Sequence, residues 1–406
     1  MRNVDAAGVT TSSRTPLGVV FLVALRLGLT SFGGPIAHLG YFRAEYVARR
    51  RWLDDAQYAD LVGMCQFLPG PTSSEIGIAV GIFRAGLPGG FAAWAGFTLP
   101  SALALTVFAG VVRHGGALST QWFYGLQLAA VAVVAQALWS MARTLAPDRE
   151  RGTLAIAAAM VALIWSTPAT QVLVIVGAGL LGWKFLTAPE APVVVPAPPR
   201  IGRRLAVAAW ALFFGLLICL PLLRRLAPSQ PLALVDSFYR AGALVFGGGH
   251  VVLPLLQTAV VSPGWVSPDR FIAGYGAAQA VPGPLFTFAA YLGGVERPQP
   301  NGVLGAAIAL GAIFLPSFLL IIGSQHVWGA VRARPALQSA LRGVNAAVVG
   351  LLLAALYNPV WTSTVRRPLD LALVLAAFGL LVLWHLPPWL VVGIMAVAGA
   401  VAARSG

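Results

Sequence analysis

The chain of 406 residues is 58% hydrophobic and only 10% charged, against about 25% charged in an ordinary soluble domain. So little charge cannot wet the surface of a soluble fold of this length, and an all-α polytopic membrane protein is expected instead. The net charge of +14 does not point to nucleic acid: the arginines flank apolar segments, where they anchor helix ends and meet anionic lipid.

In chain order, residues 1–16 form a polar tail. Leu17–Leu25 has the length of a signal-peptide core, but Arg26 interrupts it and no small-residue cleavage site follows, so a retained first helix is expected. Apolar cores then stand at Leu17–Leu29, Gly89–Val112, Trp122–Met141, Val172–Leu186, Leu205–Leu223, Gly302–Ile322, Val344–Leu356 and Leu369–Leu383. A crossing takes about 20 residues, so the shorter cores must borrow flanking residues or tilt. Six spans per half and a connector predict about 13 membrane segments. The first half is 17–186 and the second 232–406. Between them, 187–231 holds a proline-rich linker (Pro189, Pro192, Pro196, Pro198 and Pro199) and a connecting span bracketed by arginine pairs. Cys65 and Cys219 are too isolated for a disulfide framework or a metal site, and neither metal nor cofactor is expected.

The halves are read from an internal repeat. Arg26-Leu-Gly-Leu-Thr-Ser-Phe-Gly-Gly34 returns as Arg240-Ala-Gly-Ala-Leu-Val-Phe-Gly-Gly248, Gln66-Phe-Leu-Pro-Gly-Pro71 as Gln279-Ala-Val-Pro-Gly-Pro284, and Leu99-Pro-Ser101 as Leu315-Pro-Ser317. Order and spacing hold throughout, which duplication explains. One connecting span changes the parity and predicts an inverted topology. The basic run from Arg43 to Arg51 has an arginine-free counterpart at Gln257–Trp265, as loops on opposite membrane faces require.

Glycine and proline inside apolar segments break the helical ladder, and irregular backbone at membrane depth survives only against protein or a wet cavity. The paired breaks at Gly33, Gly34, Gly70 and Pro71 and at Gly247, Gly248, Gly283 and Pro284 are the candidate substrate site. After Pro71, the hydroxyls of Thr72, Ser73 and Ser74 open a half-helix whose N–H groups suit an anion, with Thr287 in the matching segment. The bland reading of the breaks is packing kinks. Arg26 and Arg240, at equivalent positions, could converge as an anion clamp; otherwise they snorkel or pair with an acid such as Asp236. Gln66 and Gln279 either donate to substrate or satisfy freed carbonyls. Glu75, His38 and His250 are the proton-coupling candidates, each weighed against a packed polar residue.

These motifs resemble the chromate ion transporter family in its long, two-domain form. The resemblance rests on Arg26 through Pro35, Trp52-Leu-Asp54 and Gln66 through Pro71 in the first half, and on Phe246-Gly-Gly-Gly-His250 and Val281-Pro-Gly-Pro284 in the second. It implies export of chromate, with sulfate or another oxyanion as the alternative substrate, from a multi-pass position in the bacterial inner membrane. The expected partners are the oxyanion and the bilayer, with a second copy of the chain as a further candidate and no nucleic acid. A membrane enzyme would need a clustered nucleophile, metal ligands or paired carboxylates, which the sequence lacks; a scaffold gains nothing from repeated helix breaks.

Overall fold

The computed structural model describes residues 15–32, 34–114, 118–165, 168–187, 201–246, 252–332 and 334–402. The predicted tail up to residue 14, the linker at 188–200, and Gly33, Gly247, Gly248 and His250 lie outside the described residues. All regular elements among those described are helical. They run α1 (Leu17–Thr30), α2 (Gly34–Phe42), a π-helical turn (Arg43–Arg49), α3 (Asp55–Phe67), α4 (Thr72–His114), α5 (Leu118–Leu145), α6 (Arg149–Ile164) and α7 (Pro168–Phe185). The connector α8 (Arg203–Leu226) follows, then α9 (Gln230–Ala243), α10 (Val252–Val260), α11 (Pro268–Ala280) and a 3₁₀ turn (Leu285–Thr287) leading into α12 (Phe288–Val295). The chain closes with α13 (Gly302–Ser324), α14 (Trp328–Arg332), α15 (Pro335–Ala355), α16 (Thr362–Thr364), α17 (Pro368–Val382) and α18 (Pro388–Ala402).

The sequence repeat has counterparts in element length. The helix carrying Arg26 and the one carrying Arg240 are both 14 residues long. Those that follow are both 9 residues. The pair leading to the two Pro-Gly-Pro breaks are both 13 residues. Each of this last pair starts at a side-chain cap: Asp54 accepts from Gln57 N–H within a capping box, and Ser267 from Arg270 N–H. Such caps satisfy orphan donors and fix where the helix begins.

Helix α4 is doubled back on itself. Ala85 (φ −140°, ψ 18°) and Gly86 (φ 70°, ψ −164°) leave helical geometry, and the positive φ at the turn suits glycine. Gly81 and Gly89 then face each other closely enough that a Cβ on either would strike the other's backbone. Gly293 and Gly305 do the same between α12 and α13. Among the described residues, five helices are long and apolar enough to cross a membrane, the doubled α4 among them, and five shorter apolar helices accompany them.

The core is a helix buried on all sides. Residues Leu128 through Val134 of α5 are at most 1% exposed, so apolar side chains all round that helix meet protein rather than lipid. The connector is the opposite: Leu212, Phe214, Ile218 and Leu222 are exposed along α8, an outer surface suited to acyl chains.

The loop after α12 carries a buried acid, Glu296, whose carboxyl is pushed up to about 8 by burial, an effect the Gln230 amide partly offsets. A carboxyl raised in the folded state contributes stability that is fully present below its unfolded value and is lost as pH rises through the folded one. The melting temperature in detergent is therefore expected to fall as pH is raised from about 5 to about 8 and to level off above that, and the fall is expected to be smaller in Glu296→Gln. Parallel pH profiles of the two proteins would refute this assignment.

Candidate functional site

The two Pro-Gly-Pro breaks are held by the opposite half of the repeat. Gly70 N–H donates to Val245 O at 2.7 Å, and Gly283 N–H donates to Ser31 O at 3.0 Å. Gly70 matches Gly283 in the repeat and Ser31 matches Val245, so the two hydrogen bonds are reciprocal. Both glycines have positive φ, 147° and 106°, a region side chains avoid.

Each glycine also packs on a serine of the opposite half. A Cβ on Gly70 would strike the Glu75 carboxylate and come within 3.0 Å of Ser317 Oγ. One on Gly283 would lie 2.8 Å from Ser101 Oγ. Ser101 and Ser317 end the repeated Leu-Pro-Ser and are both buried. Pro100 and Pro316 sit inside their helices, where the missing N–H loosens the ladder beside each serine. Sequence reasoning used Leu-Pro-Ser only to align the halves; its recurrence at this position was the signal that could have placed it in the site.

Polar capacity collects around this crossing. Ser31 O also receives His38 Nε2 at 3.1 Å. A carbonyl can only accept, so the proton sits on Nε2 and Nδ1 is left as an acceptor, buried and without a partner. The ring is held edge-on to Phe97, 5.6 Å between centroids. Glu75 is fully buried with neither carboxylate oxygen hydrogen-bonded, and Ser31 Oγ, Ser74 Oγ, Thr98 Oγ1, Ser317 Oγ and Gln279 Nε2 are likewise buried and unpaired. Buried polar groups without partners are uncommon, and here they gather on the segments that meet at the two breaks. Thr287 is differently committed: its hydroxyl donates to Pro284 O at 2.8 Å and closes the 3₁₀ turn. Gln66 is exposed, and Thr72 and Ser73 begin α4 immediately after Pro71.

Arg26 and Arg240 each stand five residues before the carbonyl that closes a crossing, roughly 7.5 Å of helix rise. The structure gives them different acids. Arg26 lies 3.7 Å from Glu45, which also takes Arg49 at 3.0 Å and Arg50 at 2.9 Å. Arg240 pairs with the fully buried Asp236 at 2.7 Å, and Arg224 reaches the same oxygen at 3.2 Å. The acid partners thus come from the π-helical turn in one half and from the arginine's own helix in the other. Glu45 and Arg224 escaped the sequence reading, because neither lies at a repeated position.

Comparison with known proteins gives a consistent picture. The family model described as Chromate transporter matches residues 19–183 and 232–400. A chromate transport protein of Pseudomonas aeruginosa is 28% identical over 358 residues, spanning 86% of this chain and 82% of the relative. One of Cupriavidus metallidurans is 28% identical over 357 residues, spanning 86% and 84%. An uncharacterized transporter of Methanocaldococcus jannaschii is 24% identical over 341 residues, spanning 82% of each chain. No solved structure matches.

Proposed function

Because this chain belongs to the chromate transporter family, we propose that it carries chromate out of the cytoplasm across the bacterial inner membrane, by alternating access between two inverted halves. The observation that carries the mechanism is the reciprocal exchange at Gly70 and Gly283. Each half satisfies the broken backbone of the other, so a rocking motion between halves rearranges both breaks together. Broken helices at corresponding positions of two halves are where such transporters hold their substrate.

In this reading the dianion meets the uncommitted hydroxyl groups of Ser31, Ser74 and Ser317 and the backbone around them, while Ser101 keeps its hydroxyl on Thr98 O. Arg26 and Arg240 draw it in from the arginine clusters a turn and a half away. Glu75 and His38 are the titratable groups at the crossing. The membrane potential favours export: moving one charge through 100 mV is worth about 2.3 kcal/mol, hence about 4.6 kcal/mol for a dianion leaving a negative interior. Sulfate has the same charge and shape, and is the second substrate to test.

Reconstituted protein with an imposed potential and labelled chromate tests the proposal, with sulfate as competitor. Potential-driven flux is expected, and Arg26→Gln is expected to lose most of it while inserting normally. Wild-type flux in that variant would remove Arg26 from the path. No chromate flux from well-folded protein would remove the substrate.

A further inference from the structure

A second cavity, mostly apolar in its walls but carrying two arginines, lies about a turn and a half of helix from the crossing. A cavity of about 300 Å³ opens between α7, α8, α9 and α10, lined by Gln171, Arg224, Ser237, Arg240, Thr258 and Ser262 among others. That volume is at the lower end for small-molecule sites. We infer that this cavity is an oxyanion-binding vestibule, loaded before the anion reaches the crossing. The inference rests on the transport reading above only for the identity of the anion.

Charge is the first support. Arg224 and Arg240 share Asp236 Oδ2 and, among the described residues, no second acid is paired with either, so the cluster holds one positive charge in excess. Geometry is the second. Both guanidinium groups are held: Arg224 donates to Asp236 and, at 3.4 Å, to Ser237 Oγ, and its Cζ lies 5.7 Å from the Trp265 ring centre. Arg240 donates to Asp236 through Nη2, while its buried Nε has no partner. A guanidinium has five N–H donors in a planar fork, the arrangement that takes an oxyanion through two bonds at once. Two held forks with donors to spare, beside a serine hydroxyl, form a pre-arranged receptor for a tetrahedral anion.

The opposite wall is closed on itself. Gln171 Nε2 donates to Pro254 O and Thr258 Oγ1, and Thr258 donates to Pro254 O. Gln171 Oε1 remains a buried, unpaired acceptor, so the anion is held on the arginine side of the cavity. Arg224 comes from the connector, whose outer face is apolar and exposed. The phosphate of an anionic lipid would present the same chemistry as a free oxyanion, so the test must separate the two sources.

Chromate and sulfate binding would be measured by calorimetry on the purified full chain, in detergent and in nanodiscs with and without phosphatidylglycerol, for wild type, Arg224→Gln and Arg224→Lys. Arg240 remains on Asp236 in both variants, so neither strands the buried acid. The expected result is a Kd weakened about 10-fold in Arg224→Gln, with Arg224→Lys between it and wild type, unchanged melting temperature, and the same ratios with and without the anionic lipid. Wild-type affinity in Arg224→Gln, with chromate flux intact, would overturn the vestibule and leave the transport reading standing. Anion binding suppressed by phosphatidylglycerol, with lipid retention lost in Arg224→Gln, would overturn it in favour of a lipid site. A wild-type protein that neither binds nor moves oxyanion would overturn both readings.

Discussion

Alanine at Gly70 or at Gly283 is expected to abolish chromate transport, and the two substitutions are expected to behave alike. Two costs add at each position. A non-glycine residue in such a backbone region costs about 1–3 kcal/mol, and φ is 147° at Gly70 and 106° at Gly283. The new methyl also needs space that is taken, by Glu75 and Ser317 at the first position and by Ser101 Oγ, 2.8 Å away, at the second. Either relief, rotating the peptide or moving the serine, disturbs the bond to Val245 O or Ser31 O that ties one half to the other. Gly110 is the control, because a Cβ there meets nothing within 4 Å. Flux in proteoliposomes, normalised to inserted protein, is expected to vanish for Gly70→Ala and Gly283→Ala and to persist for Gly110→Ala. If Gly70→Ala transports normally, the crossing is not part of the transport cycle.

Glu75→Gln is expected to separate anion movement from proton movement. The side chain is wholly enclosed, beside the break and against Ser317 of the other half, with no hydrogen-bond partner for either oxygen. A carboxylate and a dianion brought to one enclosed site repel each other strongly, so Glu75 is expected to carry its proton while the anion is bound, which makes it the candidate for proton coupling. Gln keeps the shape and hydrogen-bonding capacity and removes the charge. The part of the flux driven by a pH gradient is expected to fall about 10-fold or more, equivalent to about 1.4 kcal/mol of coupling, while potential-driven flux remains. An unchanged response to the gradient would exclude Glu75 as the coupling group. The second half offers no substitute, since Phe288 occupies the matching position.

Much of the site is legible along the chain because it consists of backbone exceptions. Glycine and proline within apolar runs can be seen in any sequence, and their recurrence at Gly70 and Gly283 marks them as a pair. Side-chain partnerships are not legible in the same way. Asp236 lies one turn from Arg240, and that pairing is local enough to anticipate. Glu45 reaches Arg26 only because the chain returns through α2 and a π-helical turn, whose altered register turns Glu45 inward among three arginines. Ser101 and Ser317 enter the sequence only as the ends of the repeated Leu-Pro-Ser, and only the packing of the other half against them gives them a place at the breaks.

By itself, then, the sequence determined that the protein is helical and membrane-embedded, that its motifs recur, and where its helices must break, because hydrophobic length and backbone freedom are properties of each local stretch. The tertiary structure decided which half receives each break, which acid holds each arginine, and which buried polar groups stay uncommitted. Those outcomes follow from the scarcity of polar partners in an apolar interior: a freed N–H takes whichever carbonyl packing brings within reach, and for Gly70 and Gly283 that carbonyl lies more than a hundred residues away along the chain.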